Sequence, residues 1–222
     1  LPESLEMHGH EQPPRKLLTI FRQPVSLAAL ANNVIGGVVM MFIMTATPLA
    51  AVASNHSIND GASIIQWHLV GMYAPSLFAG RLISRFGLPS ILFLGIALSA
   101  ACGLIAHCSD SLAAFYIALL FLGVGWNFMF VGGTVLLTAS HHPSEKARVQ
   151  GVAEFIRYTF TAFATLVAGP LLQSLGWKGM NNMIFPLLAV CAVITLWWVC
   201  IERRIKNATS EHVSGTENRS AT

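Results

Sequence analysis

The sequence predicts an all-α membrane protein, a six-transmembrane-helix bundle, on three observations. Of its 222 residues, 54% are hydrophobic and only 10% are charged, against roughly a quarter charged in an ordinary soluble domain. The charged side chains leave six long uncharged windows, at 23–59, 61–80, 86–109, 111–144, 158–177 and 179–201. Each is at least as long as the ~20 residues of helix that cross a bilayer's hydrocarbon, and a charge at mid-depth is costly enough to mark where a span must stop. No run of period-2 alternation of the kind a transmembrane barrel needs is present in the sequence.

The elements follow in order. Residues 1–25 are polar and proline-bearing, begin with Leu and show no signal-peptide pattern, so they read as a cytoplasmic linker. Helices are expected at about 27–53, 62–83, 89–107, 111–139, 149–174 and 180–201, making 26–201 the transmembrane domain. Residues 202–222 are too polar to bury a core and predict a disordered cytoplasmic tail. Pro48, Pro75, Pro170 and Pro186 are expected to kink their helices. Gly95, Ser99 and Gly103 recur every fourth residue, a small-residue stripe suited to close helix packing.

Basic residues alternate between the two sides of such a bundle. Arg15, Lys16, Arg22, Arg81, Arg85, Lys146, Arg148, Arg203, Arg204 and Lys206 fall on one side, and the loops of the other hold only Lys178. The positive-inside rule then places both termini in the cytoplasm, in a multi-pass protein of the plasma or inner membrane, with loops 54–61, 107–110 and 175–179 external. Topology thus explains the net charge of +3 without a nucleic-acid partner. Cys102, Cys108, Cys191 and Cys200 form no CxxC pair and no Cys/His cluster, so neither a metal nor any other cofactor is expected.

Polar groups inside the spans are the candidates for chemistry. Gln66, His68 and Tyr73 on the second helix, and Trp126 and Asn127 near the middle of the fourth, lie at depths where a solute could be held; Asn33 on the first helix is a weaker candidate. An aromatic solute wants ring faces for stacking and amides for its polar edge. Each has a structural alternative: His68 and the asparagines equally bond neighbouring helices, and Trp67 suits the outer interfacial belt. Glu154 and Arg157, at i and i+3, either pair on one face of the fifth helix toward a cavity or reach out to the headgroups. The methionines read as packing residues. Neither HExxH nor GxSxG occurs, so no catalytic residue is assigned.

The string GRLISRFG at 80–87 resembles the loop motif GxLaDRxGRr of the major facilitator superfamily. Gly80, Leu82, Arg85 and Gly87 match; Ser84 stands where that family prefers Asp, and Leu88-Pro89 replace the second basic cluster. The stretches MFIMTATPLA (41–50), QWHLVGMYAPSLFAGRLISRFG (66–87), GVGWNFMFVGGTVLLTA (123–139) and EKARVQGVAEF (145–155) are similar to a bacterial subfamily that includes riboflavin permeases. The resemblance implies the carboxyl half, helices seven to twelve, of a twelve-helix transporter whose amino-terminal six-helix half is absent. It implies a secondary active transporter that moves a small organic solute by alternating access, the solute being flavin-like or another polar aromatic molecule. In such a protein the 80–87 turn would act in gating, with Gly80 allowing close helix approach. An intramembrane enzyme and a membrane assembly subunit that transports nothing are the competing classes.

Overall fold

The computed structural model describes residues 15–220, with side chains as far as Ala208. Every regular element in that range is helical: α1 (Leu17–Phe21), α2 (Pro24–Ala53), α3 (Ile58–Tyr73), α4 (Ser76–Phe86), α5 (Leu88–Cys108), α6 (Leu112–Ala139), a 3-10 turn (Pro143–Glu145), α7 (Lys146–Asn182) and α8 (Ile184–Ser220). Four stretches are long and apolar enough to cross a membrane: Pro24–Ala53, Leu88–Cys108, Leu112–Ala139 and Pro143–Ala208, the last containing α7 and part of α8.

The expected second helix is two pieces. Pro75 supplies no N–H to continue the ladder, so α3 ends at Tyr73 and α4 begins at Ser76. At 16 residues, α3 is shorter than the ~20 that cross the hydrocarbon, and α4 completes its length. A capping box starts α3: Ser57 Oγ accepts from the Asp60 N–H at 3.1 Å while the Ser57 N–H donates to Asp60 Oδ2 at 2.9 Å.

Three expectations need correction. Pro186 sits in the first turn of α8, where a missing N–H costs nothing, while Pro48 and Pro170 lie inside α2 and α7. The expected loop at 175–179 is one break at Gly176 (φ 67, ψ 176), after which α7 resumes as far as Asn182. The expected disordered tail is helical to Ser220. Extending a helix already nucleated in the preceding span costs far less than starting one, and Glu202 and Lys206 pair at i,i+4 across 3.0 Å. Residues 1–14 of the expected linker lie outside the described residues; its end forms α1, which docks through the fully buried Ile20.

Contacts fix the direction of each crossing. Ser63 bonds Tyr116, His68 bonds Leu119 and Asn127 bonds Met72, so α3 and α6 run in the same direction. Gly36 faces Met129 and Gly133 faces Asn33, so α2 opposes α6. Gly95 faces Gly125 and Gly132 faces Leu92, so α5 opposes α6 as well. One end of the bundle gathers Arg15, Ser140 and Glu145; the other gathers His56, Asp110 and Lys178. The charge alternation read from the sequence is therefore a real two-ended arrangement.

The largest buried cluster joins α2, α3, α5, α6, α7 and α8, with Phe115 and Trp177 in ring contact at 5.3 Å toward one end. The Gly95–Ser99–Gly103 stripe meets its expectation. A Cβ built on Gly95 would lie 2.8 Å from the Gly125 carbonyl oxygen, and Gly103 faces Ile184 and Phe185 of α8. The α5–α6 backbones are close enough that only small residues fit.

Candidate substrate site

Midway along α6, Trp126 and Phe130 occupy successive turns of one face. Their rings stack with centroids 5.1 Å apart and planes 10° from parallel. The i,i+4 spacing brings them together, and the methionines of facing helices close around them: Met40 and Met72 buried, Met41 and Met44 partly so. From α7, the Arg157 guanidinium lies 5.4 Å from the Phe130 ring centroid and 4.1 Å from that of Tyr158. The result is a continuous stack, indole to phenyl to guanidinium, across α6 and α7 and cushioned by α2 and α3.

The charge in this stack is held as a pair. Arg157 is 9% exposed and donates through Nε and Nη2 to Glu154 Oε2. Arg157 and Glu154 thus pair at i,i+3 on one face of α7, Arg157 buried and Glu154 nearly half exposed. An arginine in low dielectric needs such a partner, and two ring faces beneath it add cation–π attraction. The Trp126 Nε1 is buried with no hydrogen-bond partner among the described residues. An unpaired buried donor costs free energy unless something accepts from it, so this stack presents an aromatic face, a cation and an unclaimed N–H.

The other sequence candidates are placed differently. His68 is fully buried, its Nδ1–H donating to the Leu119 carbonyl at 2.7 Å, and its Nε2 has no partner among the described residues. Asn127 donates to the Met72 carbonyl at 2.7 Å and to Ser76 Oγ at 2.5 Å, clasping both sides of the Pro75 break. Asn33 is buried against Gly133, with Oδ1 unpartnered among the described residues. Gln66 and Tyr73 are exposed on α3, outside the methionine-lined cluster around the stack. Phe130 escaped the sequence reading; its spacing from Trp126 was the available signal.

At the α4–α5 turn, Gly87 adopts φ 82, a region that suits only glycine, and its N–H donates to the Ile83 carbonyl at 2.9 Å. Ser84 Oγ donates to the Arg81 carbonyl at 2.9 Å, and the Arg85 guanidinium lies over Phe86 at 5.3 Å. Leu82 is half-buried. A Cβ on Gly80 would meet nothing within 4 Å, so the close approach expected of Gly80 is not made to any described part of this chain.

At the same end, the Glu145 carboxylate is 3% exposed and accepts from four donors. These are Arg15 N–H at 2.8 Å, Arg15 Nε at 3.0 Å, Arg15 Nη2 at 2.7 Å and His142 N–H at 3.0 Å. The Arg15 guanidinium, above all, holds this carboxyl well below the usual carboxylate range.

The chain is similar in sequence to known proteins. The Major Facilitator Superfamily description matches residues 10–220. The Riboflavin transporter RfnT of Brucella anthropi is 42% identical over 179 residues, 81% of this chain and 45% of that protein. The uncharacterized MFS-type transporter YddS of Bacillus subtilis is 35% identical over 165 residues, 72% of this chain and 38% of that protein. The drug efflux pump JefA of Mycobacterium tuberculosis is 27% identical, over 77% of this chain and 34% of its own. The chain spans less than half the length of these relatives, whose names point to membrane transport of small solutes rather than to an enzyme. With an all-helical fold and a family match along nearly its whole length, the chain belongs to the Major Facilitator Superfamily.

Proposed function

We propose that this chain forms one half of a secondary active transporter that moves a flavin-like, polar aromatic solute by alternating access, with both of its ends cytoplasmic. The amino-terminal six-helix half of the same protein is the partner against which it rocks, and the solute is held near mid-depth between them. The observation that carries the reading is the Trp126–Phe130–Arg157 stack. A tricyclic ring system offers the broad π-face that such a ladder stacks against, and its imide oxygens can accept from Arg157 or the unclaimed Trp126 N–H. Methionine walls adapt to a large planar guest. The name of the RfnT relative supports a flavin in particular. The 80–87 turn is assigned to gating, the open face at Gly80 being where an element outside the described residues would pack.

The test is uptake of labelled riboflavin by cells that lack their own importer and express the full-length protein. Uptake should be saturable and competed by flavins but not by non-aromatic sugars. Absence of uptake, with the protein folded and in the membrane, would rule out the flavin.

A further inference from the structure

A cavity lies away from the aromatic stack, at the end of the bundle that holds the α4–α5 turn. It encloses about 690 Å³. Pro24 begins one wall, Leu88 another, Leu136 and Ala139 close it from α6, and Trp198 closes it from α8. This interior is apolar, and an apolar space of that size in a membrane is filled by hydrocarbon more readily than by water. Its rim is different: α8 places Glu202, Arg203 and Lys206 there, with Arg203 and Lys206 three residues apart on one side of the helix.

We propose that this cavity binds an acidic phospholipid, with an acyl chain in the cleft and the headgroup phosphate against Arg203 and Lys206. Charge and position both favour that occupant. The rim carries two cations to one carboxylate and sits where the span leaves the hydrocarbon, the depth at which basic side chains meet headgroups. Glu202 holds Lys206 at 3.0 Å, but Lys206 is 74% exposed in its side chain and retains donors for a phosphate. The amino-terminal half proposed above is a poorer occupant, because the charged rim lies on α8, which contributes nothing to the Trp126–Phe130–Arg157 stack.

The test is native mass spectrometry of the full-length protein released from nanodiscs of equimolar phosphatidylglycerol and phosphatidylcholine. Phosphatidylglycerol should be retained in preference. The Arg203→Gln/Lys206→Gln variant should lower that preference by about twenty-five-fold, roughly a factor of five for each basic side chain near the headgroups. Glu202→Gln should raise it by freeing Lys206, and Ala139→Trp, by filling the cleft, should reduce retention of both lipids. Equal retention of the two lipids by the unaltered protein would overturn the proposal, as would an unchanged preference in the double variant. A dimer that Ala139→Trp dissociates, with no lipid retained, would make the cavity an interface between copies and overturn it too.

Discussion

Phe130 has two partners of opposite chemistry, the Trp126 indole stacked on it and the Arg157 guanidinium 5.4 Å from its ring centroid. Replacing it with Ala separates Trp126 from Arg157 without removing either, so Phe130→Ala should raise the KM for solute about tenfold or more, while Phe130→Tyr keeps the ring and most of the affinity. Stacking contacts of this kind contribute roughly 0.5–1.5 kcal/mol each beyond area burial, and radiolabelled uptake over a range of solute concentrations reads the difference. Glu154 is half exposed beside a buried Arg157. Its role is to balance that charge, so Glu154→Gln should slow uptake while leaving its dependence on external pH unchanged; a lost pH dependence would make Glu154 a proton carrier. Trp126 and Arg157 could be named from the sequence because an indole N–H and an ion are rare polar groups inside spans. Phe130 was not, since among thirteen phenylalanines its i,i+4 spacing from Trp126 is a faint cue to the face it shares.

At the scale of the helix, the turn glycine and the proline break are the informative features. Gly87 holds φ 82 and ψ 149, a conformation that costs an L side chain roughly 1–3 kcal/mol. Gly87→Ala should lower thermal stability in detergent by about that amount, read from the shift of the melting midpoint, whereas Gly80→Ala, with open space around it, should leave stability unchanged. The six crossings could be read from sequence because charges such as Asp60, Asp110 and Lys178 fall between uncharged windows. The extension of α8 to Ser220 could not, because a polar composition does not reveal that the helix before it has already met the nucleation cost.

For the whole molecule, the Arg15–Glu145 tie joins the segment before the first span to the turn between α6 and α7. Because the Glu145 carboxyl is held below its ordinary range, the tie contributes in full above a carboxylate's usual pKa of about 4.3. It weakens as pH falls below that value and is lost once the folded-state carboxyl takes its proton. Melting midpoints measured between pH 7 and pH 3 should therefore fall further for the unaltered protein than for Glu145→Gln, which begins lower and changes less. The two-ended arrangement of the bundle was foreshadowed by ten basic positions against one; this cross-chain tie was not, because nothing in the spacing of Arg15 and Glu145 relates them.

The interruption at Pro75 leaves the span that bears the 80–87 turn as two rods of unequal anchorage. Gly61, Ile64, His68, Gly71 and Met72 bury the upper rod, whereas Ala79 alone is buried in the lower one, and the amide of Asn127 bridges the junction. An eleven-residue segment held this lightly can swing about its upper end without disturbing the rest. Backbone deuterium uptake should accordingly be faster across 76–86 than across 61–72, and Asn127→Ala should widen that gap by unfastening the joint.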